Sequence, residues 1–146
     1  MIKNYRKENI GPSKYRFRLG EIFKYEKTPI VDIQKNKLPA LKSLKLPYVL
    51  KPGEYLLGRT IEEFDTPLDL MSFYAASSTS VRIGLSILYG GINDPGYQGK
   101  AILGIHNVSP NPIKIFYGME LLYTAFLELK GTPTPIQTKY MGGKLI

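Results

Sequence analysis

Ala75-Ala76-Ser77-Ser78-Thr79-Ser80-Val81-Arg82-Ile83-Gly84-Leu85 is the stretch from which the rest of the chain can be read. Six small residues run into an apolar, β-branched segment that carries an arginine. Small side chains let a backbone approach a phosphate closely, hydroxyls give short hydrogen bonds, and a guanidinium adds charge. The plain alternative for the same residues is a Ser/Thr-rich loop with no ligand. Further along comes Gly91-Ile92-Asn93-Asp94-Pro95-Gly96-Tyr97-Gln98-Gly99. Pro95 presets φ and Gly96 tolerates a positive one, so this is a tight turn. It sets a carboxylate, Asp94, three residues before a ring, Tyr97, able to pack on a sugar or base. Taken alone, Asp94 is the first residue of a β-turn and Tyr97 a core residue.

Around these segments the chain reads as short strands. Prolines at 12, 29, 39, 47, 52, 67, 95, 110, 112, 133 and 135 block long helices and central strands. Between them lie runs rich in β-branched and aromatic residues, bounded by turn signals, the pattern of a sandwich or barrel. The clearest strands are expected at 54–59, 81–89, 100–107, 112–117 and 119–129. Residues 38–46 stay open between a helical turn and an extended segment, confined by Pro39 and Pro47. One domain is expected over residues 1–146, with a poorly anchored arm from about residue 131, where Pro133, Pro135, Gly142 and Gly143 cluster.

Composition excludes several chemistries. The chain has no cysteine. Disulfides, thiolate zinc ligands and the His/Cys/Cys zinc site of one class of nucleotide deaminases are therefore ruled out. His106 is the only histidine, so one chain builds neither a Ser-His-Asp triad nor a pair of histidine ligands. No Gly-Lys-Ser/Thr phosphate loop and no Gly-x-Gly-x-x-Gly is present. No apolar run approaches the roughly 20 residues that span a bilayer, and the first residues lack the apolar core of a leader. A cytoplasmic protein without a membrane is the expectation. The formal net charge is +8. Residues 1–59 hold 14 Lys and Arg against 5 Asp and Glu, while residues 60–146 hold 6 against 7. A solvated lysine-rich surface is the ordinary reading of that first part; attraction for a polyphosphate or nucleic acid is the sharper one.

Taken in order, the motifs resemble the dUTPase and dCTP deaminase family. Pro52-Gly53-Glu54-Tyr55-Leu56-Leu57-Gly58-Arg59 is similar to the strand entering that family's core. Ser78-Thr79-Ser80-Val81-Arg82-Ile83-Gly84-Leu85 looks like its serine-arginine motif, and Asp94-Pro95-Gly96-Tyr97-Gln98-Gly99, Asn107, Pro112-Ile113 and Gly118-Met119 follow in its order. Gly11-Pro12-Ser13 and Arg18-Leu19-Gly20 resemble its opening motif. The resemblance implies an all-β, distorted jelly roll or β-barrel of the dUTPase-like (β-clip) type, forming a homotrimer with sites between subunits. It implies a deoxynucleoside triphosphate as ligand, dUTP favoured, with Mg2+ carried by the nucleotide phosphates rather than held by a metal-ligating residue. Nucleic acid is a lesser candidate partner. Asp94 and Arg82 would be the catalytic residues, Asp94 activating the attacking water and Arg82 beside the reacting centre. Ser78, Thr79, Gly96, Tyr97, Gln98 and Asn107 would bind the nucleotide, with Tyr97 on the deoxyribose.

The departures point in two directions. Where dCTP deaminases resemble one another in a proton-transferring glutamate, this chain has Gly104, which can move no proton. That disfavours deamination and favours dUTP hydrolysis to dUMP and pyrophosphate. Arg16 stands for an aspartate of the opening motif, Ser77 for an arginine and Tyr123 for a glutamine. These changes keep open a catalytically inactive member with a binding or regulatory role. A general nucleic-acid-binding barrel, with aromatics interleaved with Lys and Arg on one sheet face, ranks last.

Overall fold

A computed structural model of the chain describes residues 1–131, 133–135, 137–138 and 140–145. Among them the order is β1 (Ile2–Lys3), a 3-10 turn at Lys7–Asn9, β2 (Tyr15–Tyr25), β3 (Leu41–Leu44), β4 (Tyr48–Leu50), β5 (Tyr55–Asp65) and β6 (Leu70–Ala76). A short helix, α1 (Ser78–Arg82), precedes β7 (Leu85–Leu88), β8 (Ile92–Asn93), β9 (Gln98–Asn107), β10 (Ile113–Ile115) and β11 (Glu120–Glu128). The fold is all-β, as expected.

One sheet carries most of it, in the order β7-β9-β5-β2-β11-β6-β8, with β1 added on β5, β3 on β2, and β10 paired to β4 apart. The long strands change register part-way, between Leu19 and Glu21 of β2, Arg59 and Glu63 of β5, and Glu120 and Leu122 of β11. Such irregularities bend a strand and increase its twist, so the sheet curls into a half-barrel. At the first bend a Cβ on Gly20 would lie 3.1 Å from the Ile61 side chain, so glycine is the residue that fits. Inside the curl Phe17, Leu19, Ile22, Leu56, Phe64, Leu103, Ile105 and Leu121 are fully buried. Phe17 stacks on Phe64 with centroids 4.8 Å apart.

The strand expected over 81–89 begins only at Leu85. The Ser77 hydroxyl accepts the Ser80 amide at 3.1 Å and caps a helical turn instead. Gly84, at φ +75°, ends that turn against Ser109, where a Cβ would come within 2.6 Å of the serine's own. Five strands, β1, β2, β4, β6 and β8, lie outside the sequence-based set, and 38–46 resolves into β3. At the C-terminus the Gly142 amide donates to the Gln98 carbonyl at 2.8 Å, and Gly143 packs on Gly99 and Lys100. Thr132, Ile136, Lys139 and Ile146 of the expected arm lie outside the described residues.

Candidate functional site

α1 divides its hydroxyls by role. Ser77 and Ser80 are buried and bonded to one another, Oγ to Oγ at 2.8 Å, so they build the turn. Ser78, Thr79 and Arg82 are exposed. Arg82, in the last turn, borders an open groove of about 710 Å3 that Gly84, Ser109, Asn111 and Lys114 also line. Two cations and no carboxylate line this groove, which suits an anion. Sequence reasoning passed over Lys114. Its signal was the alternation Ile113-Lys114-Ile115, buried, exposed, buried, on β10.

Asp94 sits just past β8 on the expected turn, where its carbonyl accepts the Tyr97 amide at 3.2 Å. Its carboxylate is exposed and has no hydrogen-bond or ion-pair partner among the described residues. Gly96, at φ +77°, donates its amide to the Thr66 carbonyl at 3.1 Å and holds the turn on β5. Exposed Gln98 donates to the Asp65 carboxylate at 3.0 Å. Tyr97 turns inward: its ring meets Phe64 edge-on at 6.3 Å and its hydroxyl donates to the Lys100 carbonyl at 3.1 Å. Burial raises its pKa above the usual tyrosine value.

Asn107 requires a correction. It is fully buried, and its amide nitrogen donates to the Leu50 and Asn111 carbonyls at 3.0 and 2.8 Å. Its Oδ1 accepts from the Ser109 amide and hydroxyl at 3.0 and 2.8 Å. Every polar atom of the side chain is used in fastening β4 and the 108–112 loop to β9, which leaves nothing for a ligand.

Within one chain the expected site residues form two separate sets. β8 pairs with β6 so that Asn93 faces Ser72, which places Asp94 level with residue 71. Seven extended residues separate that level from Ser78, roughly 20 Å at about 3.3 Å per residue. Following β9 from Gln98 to Asn107, beside Leu85, gives roughly 30 Å at the same rise. The serines and Arg82 thus stand at one end of the half-barrel, Asp94 and Tyr97 at the other.

Gly104 is sealed. A Cβ there would run into the ring and hydroxyl of Tyr55, which lies across the bare backbone. Tyr55 in turn stacks on Tyr25 at 5.9 Å and meets His106 edge-on. The other departures have local uses. Arg16 pairs with Glu120 at 3.4 Å, Ser77 caps α1, and the Tyr123 ring lies 4.0 Å below the Lys14 ammonium. No cluster of three or more His, Asp or Glu able to hold a metal occurs among the described residues, so the side chains present fit no protein-built metal cage. No helix among the described residues is long and apolar enough to cross a membrane.

The sequence matches the dCTP deaminase-like family over residues 1–128. It is 30% identical over 135 residues to a dUMP-forming dCTP deaminase of Hydrogenobaculum sp., a match covering 92% of this chain and 76% of that one. Among solved structures it resembles the 2'-deoxycytidine 5'-triphosphate deaminase of Agrobacterium tumefaciens, with TM-score 0.69 and 19% identity over 86% of this chain and 43% of that protein. It also resembles the dUTPase of phage phi11 of S. aureus, which coordinates a structural Mg(II) ion, with TM-score 0.55 and 15% identity over 95% of both chains. Two ends of a curled, all-β sheet carrying a serine-arginine turn and an Asp-Pro-Gly turn, and a match over most of the length, make this chain a member of the dCTP deaminase-like family.

Proposed function

We propose that this protein hydrolyses dUTP to dUMP and pyrophosphate, in the cytoplasm, at sites shared between the copies of a homotrimer. The observation that carries the reading is Gly104 sealed beneath Tyr55. Glycine offers no side chain at that strand position to carry the proton that deamination moves, and the Tyr55 ring covers the place one would occupy. The exposed, unpartnered Asp94 stays available to orient water. In the step, water oxygen bonds to the α-phosphorus, the bond from that phosphorus to the bridging oxygen breaks, pyrophosphate leaves, and Asp94 takes the water's proton. Ser78 and Thr79 hydrogen-bond the phosphates, while Arg82 and Lys114 offset their charge. Mg2+, carried in on the phosphates, would offset further charge, and no residue of this chain is assigned to hold it. With the two residue sets roughly 20 Å apart along β6 at about 3.3 Å per residue, Asp94 of one copy would serve the α1 end of another.

A second reading, nucleotide binding without turnover, is favoured by Tyr97, whose ring packs on Phe64 rather than facing outward. Pyrophosphate release from dUTP, dCTP, dTTP and UTP with Mg2+ separates the two. Hydrolysis predicts release from dUTP, lost in Asp94→Asn. Binding without turnover predicts affinity and no release, and release that survives Asp94→Asn contradicts the mechanism.

A further inference from the structure

The turn that carries Asp94 is gripped by Thr66, a buried residue that directly follows β5. The Thr66 amide donates to the Tyr97 carbonyl at 3.0 Å, and its carbonyl accepts the Gly96 amide at 3.1 Å. Its hydroxyl accepts from Asn93 Nδ2 at 2.8 Å. Thr66 therefore holds the chain on both sides of Asp94, at residue 93 before it and at 96 and 97 after it.

The two sides are not equally secure. After Asp94 the chain enters β9, where Gln98 lies in register with Asp65 and the two side chains are bonded at 3.0 Å. Before Asp94 lies β8, two residues long and paired to β6 at the edge of the sheet. So short a strand has little hold of its own. The bond from Asn93 to Thr66 ties that side down. Burying an amide costs stability unless it is hydrogen-bonded, and an apolar side chain would carry no such cost. The amide at 93 is explained by what it fastens. Ser72 is the contrast: it is buried and directly opposite Asn93, yet its hydroxyl has no hydrogen-bond partner among the described residues. The exposed Asp94 carboxylate has no partner among them either, so its place is set by the backbone that bears it.

We infer that Asn93 and Thr66 are positioning residues, whose bond sets where Asp94 presents its carboxylate to the α-phosphate. The inference rests on the dUTP hydrolysis proposed above. Neither side chain touches the substrate. A reacting group misplaced by about 1 Å loses on the order of 100-fold in rate. The phosphates are held by Ser78, Thr79, Arg82 and Lys114 at the other end of the half-barrel, on another copy, so affinity for dUTP does not depend on the tie.

The test is pyrophosphate release from dUTP with Mg2+, with kcat and KM measured separately and well below the melting temperature of every variant. Thr66→Val keeps the shape of the side chain but removes the accepting hydroxyl. It should lower kcat on the order of 100-fold and leave KM near the parent's. Asn93→Leu removes the other partner and should do the same, which keeps the test open should Thr66→Val not fold. The two together should lose no more than either alone, since both break one bond. Thr66→Ser restores the hydroxyl and should recover most of kcat. Ser72→Ala deletes a neighbouring buried hydroxyl that fastens nothing, and should leave kcat unchanged. Losses that multiply in the double variant overturn the inference. So does a Thr66→Ser no better than Thr66→Val, a change confined to KM, or a Ser72→Ala as slow as Thr66→Val. A parent that releases no pyrophosphate overturns the hydrolysis reading and this inference with it. An active parent with kcat unchanged in Thr66→Val and Asn93→Leu overturns this inference alone.

Discussion

Glu62 is fully buried, yet it accepts the Tyr15 hydroxyl at 3.0 Å, the Arg18 amide at 2.9 Å and Arg18 Nε at 2.6 Å. Removing one member of a buried, hydrogen-bonded pair leaves the other charge unmatched, so Glu62→Ala should lose about 3–5 kcal/mol, read from urea unfolding. Tyr15 carries the same network into alkaline pH. Burial first, and then the neighbouring Glu62 carboxylate, push its pKa up from 10.0 to about 12, against the Arg6 amide. A folded-state pKa above the unfolded one gives stability that is complete below about pH 10 and lost as pH rises toward about 12. Tyr15→Phe should flatten that loss in a pH series of melting temperatures. Little of this was visible in the sequence, where Glu62 and Arg18 are 44 residues apart and nothing local pairs them. Asp94 was legible because Asp-Pro-Gly fixes its own turn. Asn107 was misread because a buried asparagine that laces loops together has the same spelling as one that meets a ligand.

Elements with local signals were read well, and those made by distant contacts were not. β5, β9 and β11 announce themselves through β-branched runs between turn residues. β2 reads as basic and polar because its bends let Arg18 turn inward onto Glu62, and β6 lacks the alternation of a half-buried strand. α1 was taken for strand since Val81, Arg82 and Ile83 look extended, while the deciding contact, the Ser77 cap, is a side-chain bond. Gly104 is the sharpest case of an element set from across the sheet. Gly104→Ala should displace Tyr55 and cost about 1–3 kcal/mol, the usual penalty for overpacking. Pairing it with Tyr55→Ala should recover part of that loss, which a double-mutant cycle in urea measures.

At the scale of the whole molecule, the charge split was legible by counting, but the placement of the two site halves was not. Adjacent motifs in sequence ended at opposite ends of the half-barrel because β6 and β9 each run its length between them. A site using both ends needs a second copy turned so that its α1 meets the first copy's Asp94 turn. That is a heterologous, ring-closing contact, and it fits the proposed trimer. The decisive measurement mixes two variants, Arg82→Ala and Asp94→Asn, co-folded in equal amounts, and follows pyrophosphate release from dUTP. Each alone should be inactive. In random mixed trimers about one interface in four joins an intact Asp94 to an intact Arg82, so activity should return to about a quarter of the parent's. No recovery from the mixture, with the parent active, would contradict a site shared between copies.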